Sequence, residues 1–233
     1  MFIAALQTAR KNSKSVKNKN ILAHNGKPFY MHNIDYSKDC AAIDEVYVTT
    51  DSEFIIEHAQ EYGYNVIERP EYLSGDSASH QETIMHGIEA IESEHGKKLD
   101  IVIVLLGNNV GAFTQDLDLA IKTLIGNPEL DSVISVSEYN MFNPFRAYEI
   151  KDGLLDTVVS QEFIQSKKNG HNVNDKKSAG DVYFFNGSFW VCRREVIESN
   201  NGLLPFPWLG NKLYPIPQKD IMEVDAPWQL KCV

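Results

Sequence analysis

The segment EVYVTTDSEFIIEHAQEYGYNVIE (45–68) decides the fold class. EVYVTT (45–50) is a β-rich run of strand length that reads as buried. Glu53–Tyr62 has the apolar spacing of an amphipathic helix and is stopped by Gly63, and Tyr64–Glu68 reads as a further short strand. The same alternation extends to either side. Upstream, Phe2–Thr8 is a strand and Lys27–Lys38 is predicted to be a helix with Pro28 in its first turn. Downstream, Ser79–Glu94 places Ile84, Ile88 and Ile91 on one helical face, and Ile101–Leu106 is the most apolar strand of the chain. Leu117–Ile125 is a helix with Thr114 placed to cap it, and Ser132–Ser137 is another strand. This alternation predicts an α/β fold: a mostly parallel, twisted, Rossmann-like sheet with helices on both faces.

The pattern breaks near residue 138. Asn140–Ile150 is rich in aromatic residues and proline, Lys151–Gly153 reads as a hairpin turn, and 165–181 is polar and lysine-rich. The core signal returns at Val182–Val191. We therefore expect one domain over 1–233, with 138–181 as an inserted lid or protruding arm. The 233 residues are 43% hydrophobic and 23% charged, the profile of a soluble globular protein. Cys40, Cys192 and Cys232 are odd in number and far apart, which argues against a disulfide framework or a zinc CxxC pair. No apolar stretch approaches the ~20 residues of a membrane span. A cytoplasmic protein with no membrane partner is expected.

Charge points to a ligand. The net charge is −10, a poor match to nucleic acid. Yet no acidic residue precedes Asp35, and Arg10, Lys11, Lys14, Lys17, Lys19 and Lys27 all lie before it. Most of these cations fall in ARKNSKSVKNKN (9–20), directly after the first strand. In open α/β sheets ligands bind beyond the carboxyl ends of the strands. Backbone amides with Lys and Arg at such a position make a phosphate cradle; the plain alternative is a solvated basic loop. Neither GxxxxGK[ST] nor GxGxxG occurs.

Other candidates follow in chain order. Asp51, ending VTTD (48–51), suits either a ligand role or the cap of the next helix. In ERPEYLSGDSASHQETI (68–84), Arg69, Asp76 and Ser79 precede a helix, and Ser79 with Glu82 has capping-box spacing. Glu223 and Asp225 alternate around Val224, so on a strand both would face one side and could hold Mg²⁺, or they could form an exposed acidic edge. Asp116 and Asp118 also look like a metal pair, but acids in a first helical turn are favoured by the helix dipole. The seven histidines lack zinc spacing, and no GxSxG occurs.

Taken in order, these pieces resemble the acylneuraminate cytidylyltransferases, the CMP-sialic acid and CMP-legionaminate synthetases, and more distantly the CMP-Kdo synthetases. The residues that carry the resemblance are Ala9, Arg10, Ser13, Lys14, Lys19 and Asn20; Gly26–Pro28; Thr49–Asp51; Arg69, Pro70, Asp76, Ala78 and Ser79; Asn186 and Gly187; and Glu223 with Asp225. The resemblance implies a GT-A-like nucleotidyltransferase that joins CMP from CTP to an acidic acceptor and releases pyrophosphate, in the supply of cell-surface polysaccharide precursors. By the same resemblance Arg10, Ser13, Lys14 and Lys19 grip the triphosphate, with Arg10, Lys14, Lys19 and Asp225 the catalytic set. Asn20, Arg69 and Ser79 hold the nucleoside, and Asn108, Arg146, Lys176 and Asn186 face the acceptor. Asp225 with Glu223 binds Mg²⁺, and the arm 138–181 forms a homodimer.

Two departures bear on the acceptor. LLGNNVGAF (105–113) stands where the family usually has LLQPTSPLR, and Glu223 stands where it has aspartate. A phosphonate or another acid as acceptor, a GT-A-like glycosyltransferase, and a non-catalytic nucleotide-binding relative are the competing expectations.

Overall fold

The protein is described from a computed structural model that covers residues 1–13, 16–75, 77–111, 113–167, 180–219 and 221–232. The chain begins with β1 (Ile3–Thr8), a small hairpin of β2 (Ala23–His24) and β3 (Lys27–Pro28), and α1 (Met31–Lys38). Next come β4 (Glu45–Thr50), α2 (Glu53–Glu61), β5 (Asn65–Glu68), α3 (His80–His95) and β6 (Ile101–Leu106). Then follow α4 (Thr114–Gly126), β7 (Ser132–Glu138), β8 (Tyr148–Lys151), β9 (Leu154–Thr157) and α5 (Gln161–Ser166). The described chain closes with β10 (Tyr183–Arg193), α6 (Arg194–Ser199) and β11 (Leu213–Gln218).

Seven strands form one sheet in the order β11-β7-β10-β6-β1-β4-β5. Its ladders are parallel except for the two made by β10. The expected α/β class is therefore borne out. Period-two alternation divides the central strands between two apolar layers. Phe2, Ala4, Leu6, Val102 and Val104 pack with Ile84, Ile88 and Ile91 of α3 on one face. Ile3, Ala5, Ile101, Ile103 and Leu105 pack with Leu117, Ile121 and Leu124 of α4 on the other. Full burial of each such aliphatic side chain contributes about 1.5–3 kcal/mol, and β1 and β6, which feed both layers, lie side by side within the sheet.

Several boundaries differ from expectation, each for a local reason. The helix expected over 27–38 begins only at Met31, because Lys27 and Pro28 pair with His24 and Ala23 across a turn at Asn25 and Gly26. Both turn residues have positive φ, 45° and 82°, the conformation that Asn-Gly favours in tight hairpins. Tyr64 stays outside β5, whose first residue is Asn65. Thr114 does not cap α4: Phe113 holds the cap position, and the Thr114 hydroxyl donates to the Tyr36 carbonyl at 3.1 Å. Leu213–Gln218, for which no strand was expected, is the edge strand β11; at an edge Pro215 and Pro217 need not donate outward. The hairpin turn expected at 151–153 is present between β8 and β9, with Asp152 and Gly153 both at positive φ.

The excursion leaves the sheet between adjacent strands. Tyr183 pairs with Glu138, and the Tyr139 amide donates to the Val182 carbonyl at 3.1 Å, which closes the neck. The pairings make β7 parallel to β1, so the excursion springs from the carboxyl edge of the sheet. The β8–β9 hairpin forms its own two-stranded sheet.

Candidate active site

The carboxyl ends of β1, β4 and β6 lie side by side, and β1 is the strand at which chain order reverses, since β4 and β5 lie on one side of it and β6 on the other. A crevice is expected at such a switch point. A cleft of about 320 Å³ occupies it. Its walls include Arg10, Ser13, Lys19 and Asn20 from the basic loop, Arg69 after β5, and Asn108 and Asp225.

The basic loop is pinned to the sheet by its backbone. The Ala9 amide donates to the Thr49 carbonyl at 3.1 Å, and the Lys11 amide donates to Asp51 Oδ1 at 2.6 Å. Asp51 thus orders the loop, and the cap of α2 is Ser52. Asn20 Nδ2 donates to the Arg10 carbonyl at 2.8 Å, which folds the loop back on itself. Arg69 is anchored by donation from its terminal nitrogen to the Thr49 carbonyl at 2.8 Å. Burial, more than the nearby Arg10, pulls Arg69 down to about 10, partly offset by Asp51, so it stays cationic at neutral pH.

Lys19 crosses the cleft floor. Its ammonium donates to Asp225 Oδ1 at 2.7 Å although the two residues are 206 positions apart. Asn108 Nδ2 donates to the same oxygen at 3.1 Å, and the Val224 amide donates to the Asn108 carbonyl at 2.9 Å. The loop after β6 therefore holds the acidic segment in place. Glu223 sits against Gly187, whose φ is +74°; a Cβ there would fall 2.5 Å from Glu223 Cγ, so the Asn-Gly pair makes room for the carboxylate. Burial above all, then the Asp225 charge and the hydrogen bond between the two groups, pushes Glu223 up to about 7; Lys19 and Asn108 oppose this. Residues 221–225 are irregular backbone, so the expected strand is absent, yet both side chains reach the same place.

The remaining candidates are distributed as follows. Ser79 is the N-cap of α3 in a complete capping box: its Oγ accepts from the Glu82 amide at 3.1 Å, and Glu82 accepts from the Ser79 amide at 2.9 Å. Its neighbours Ala78 and His80, not Ser79, line the cleft. Asn186 is buried, and its amide is spent within the protein. Nδ2 donates to Ser137 Oγ and Gln218 Oε1, both at 3.0 Å, while Oδ1 accepts from the Ser188 amide at 3.2 Å. Arg146 ends an exposed one-turn helix, Pro144–Arg146, and lines neither this cleft nor a smaller pocket of about 230 Å³ that shares Asp225 with it. Asp116 accepts from Gln218 Nε2 at 2.6 Å and Asp118 pairs with Lys122, so both carboxylates are engaged structurally. Lys14, Asp76 and Lys176 lie outside the described residues.

Sequence reading missed His80 and Thr8. His80 Nε2 lies 3.3 Å from Thr8 Oγ1, and its ring meets Trp190 and Trp208 at 5.7 Å and 5.6 Å. Burial, then the Arg69 charge, pulls its pKa down to about 4, so a neutral imidazole faces the cleft at physiological pH. A lone histidine without ligand spacing gives no sequence signal of this.

Comparison with known proteins agrees with the geometry. The family model described as Cytidylyltransferase matches residues 4–180. A Helicobacter pylori protein, "Pseudaminic acid cytidylyltransferase and UDP-2,4-diacetamido-2,4,6-trideoxy-beta-L-altropyranose hydrolase", is 28% identical over 66% of this chain; the match spans 29% of that longer protein. "Post-translational flagellin modification protein B" of Campylobacter coli is 24% identical over 97% of this chain and 90% of its own. Among solved structures, a CMP:2-keto-3-deoxy-manno-octonic acid synthetase complexed with CTP superposes with a TM-score of 0.68 at 16% identity, covering 99% of this chain and 96% of its own. That likeness is one of fold, and the family match covers well over half of the sequence. The chain belongs to the cytidylyltransferase family.

Proposed function

We propose that the protein transfers CMP from CTP to a hydroxyl of a nonulosonic acid-like sugar, releasing pyrophosphate. CTP is a cytoplasmic substrate, and the reaction is assigned there. The observation that carries this reading is the Lys19–Asp225 contact, which joins the cationic loop to the carboxylate pair across one cleft. Such a cleft is complementary to a triphosphate at one end and to a metal-assisted hydroxyl at the other. The names of the Helicobacter relative and of the solved synthetase support both nucleotide and acceptor.

The carboxylates suit Mg²⁺. Asp225 and Glu223 supply hard oxygen donors, and the Lys19 ammonium lies where a cation would neutralise them. Mg²⁺ is commonly held by one or two carboxylates and completes its shell with substrate phosphate and water. Held by Asp225 and Glu223, Mg²⁺ would lower the acceptor hydroxyl's pKa.

The chain's own residues do the rest. Arg10 and Lys19 neutralise charge that builds on pyrophosphate as the acceptor oxygen attacks the α-phosphorus and the bond to the β-phosphate oxygen breaks. Asn20 and Arg69 orient the nucleoside. Asn108 keeps Asp225 aimed into the cleft.

A homodimer through 138–181 belongs to the same proposal. Tyr148, Ile150 and Leu155 share one face of the β8–β9 hairpin, and Ile150 and Leu155 are 77% and 70% exposed, an apolar face of the kind that partners cover.

The deciding experiment measures pyrophosphate release from CTP, Mg²⁺ and a panel of nonulosonic acids. Asp225→Asn should abolish the Mg²⁺-dependent rate. Unchanged metal dependence would overturn the assignment.

A further inference from the structure

We propose that Asn109 is a positioning residue for the carboxylate pair: it fixes the bulge of β10 on which Glu223 is seated, while its neighbour Asn108 takes Asp225. The inference rests on the reading of Glu223 and Asp225 as metal ligands and names what aims them. β10 pairs regularly with β7 up to Phe185 and again from Trp190, with a register shift between the two. Its ladder with β6 also begins only at Trp190. Residues 186–189 are therefore a bulge, a feature that interrupts the ladder and re-aims side chains beside a site. Asn186 and Ser188 are buried there, and a carbonyl left unpaired at that depth is costly. Asn109, itself fully buried, answers this with its whole amide. Nδ2 donates to the Asn186 carbonyl, and Oδ1 accepts from Ser188 Oγ at 3.2 Å and from the Gly111 amide at 2.6 Å. Asn33 Nδ2 ties the bulge to the end of β6, donating to the Ser188 carbonyl at 3.2 Å and the Leu106 carbonyl at 3.1 Å.

The peptide that Asn109 holds is the one that Glu223 touches. Gly187 follows the Asn186 carbonyl, and a Cβ on it would fall 2.5 Å from both Cγ and Oε1 of Glu223. A shift of this peptide therefore displaces the carboxylate, because close-packed interiors transmit strain. Asn108 governs the other acid, through Nδ2 to Asp225 Oδ1 at 3.1 Å and through its carbonyl, which accepts from the Val224 amide at 2.9 Å. Gly111 extends the same latch. A Cβ there would strike Ile221 Cγ2 at 2.2 Å, and its carbonyl accepts from Gln218 Nε2 at 3.0 Å. Two consecutive asparagines thus set the placement of the two carboxylates relative to each other. Mg²⁺ demands near-ideal octahedral geometry, so the placement of its oxygen donors bears directly on affinity.

The test follows Mn²⁺, as a probe ion, binding to the full chain without substrate by electron paramagnetic resonance, beside pyrophosphate release with CTP and Mg²⁺. Asn109→Ala removes all three hydrogen bonds. Asn109→Asp keeps the shape and both acceptances but loses the donation to Asn186, and Gly187→Ala disturbs the seat of Glu223 directly. Each should weaken Mn²⁺ binding by on the order of ten- to a hundredfold and raise the Mg²⁺ needed for half-maximal rate in parallel. The KM for CTP at saturating Mg²⁺ should move by less than about twofold. Ile121→Val, in the layer under α4, is the stability control: it should lower Tm and leave Mn²⁺ binding as in the parent protein. Mn²⁺ affinity unmoved in the folded variants, an equal loss in Ile121→Val, or a KM for CTP that rises as far as the Mg²⁺ requirement would overturn the inference and leave nucleotidyl transfer standing. Weakened Mn²⁺ binding in the variants with no pyrophosphate released from any acceptor by the parent would bring down the transfer reading and keep the positioning role. A parent protein that binds no Mn²⁺ would remove the pair as a metal site and this inference with it.

Discussion

Replacing Lys19 by methionine separates the electrostatic role of the basic loop from its structural one. The Lys19 side chain is 9% exposed, and its ammonium meets Asp225 Oδ1 at 2.7 Å, whereas Asp225 is 59% exposed. Two effects therefore oppose each other in the folded protein. A hydrogen bond to a charged group, about 1.5–3 kcal/mol, is lost. In return a buried ammonium no longer has to be desolvated, and water reaches the exposed aspartate readily. Methionine preserves the stem's packing, so the net change should stay within about 1 kcal/mol, or roughly 2–4 °C in Tm for a chain of this size. Turnover has no such compensation, because charge on the leaving pyrophosphate would lose one preorganised cation. By analogy with the removal of an oxyanion donor, kcat/KM for CTP should fall about 10²–10³-fold, or about 2.7–4 kcal/mol of transition-state stabilisation. The assay is pyrophosphate release at saturating acceptor and Mg²⁺, with a thermal melt of the same sample. A rate within about threefold of the parent protein, a difference of less than about 0.7 kcal/mol, would refute the electrostatic reasoning. A fall in Tm beyond about 10 °C would show that Lys19 is structural instead.

Three further outcomes are expected. Glu223 has a folded-state pKa of about 7 against an ordinary 4.5, so folding takes up a proton between those values. The metal-free protein should lose stability as pH rises through that window, and Mg²⁺ should bind more tightly and stabilise more at pH 8 than at pH 6; melts with and without Mg²⁺ that are parallel in pH would contradict this. Ser79→Ala should cost about 1 kcal/mol through the lost cap while leaving the KM for CTP nearly unchanged, since the Ser79 hydroxyl is turned to the Glu82 amide. A large rise in KM would instead restore Ser79 to the nucleoside. Leu155→Glu on the exposed hairpin face should convert a homodimer to monomer in sedimentation without loss of fold, and a wild-type monomer would dismiss the arm as an interface.

Strand and helix identity were legible because they rest on local periodicity. EVYVTT and IVIVLL read as buried strands, and α3 was readable from its apolar spacing and from Ser79 and Glu82, whose reciprocal hydrogen bonds are present in the structure. The hairpin at Asn25–Gly26 carried a local signal that went unread, and β11 did not look like a strand because its prolines are tolerated only where an edge lies, which is a tertiary fact. The site was legible in part. The cations of 9–20 stood out because the rest of the chain is acidic, and Arg10, Ser13, Lys19, Asn20 and Arg69 do line one cleft.

The sequence by itself determined the layers of the sheet, the start of α3 and the concentration of positive charge after β1, since each depends on residues near one another in the chain. Only the tertiary structure decided which groups meet. It brought Asp225 to Lys19 across 206 positions, hydrogen-bonded Asn108 to the same carboxylate, packed His80 against two tryptophans and spent the Asn186 amide inside the fold. The physical reason is that hydrogen-bond partnership and desolvation are properties of the packed arrangement: a side chain's charge is written in its type, but what remains of that charge to offer a ligand is set by neighbours contributed from distant parts of the chain.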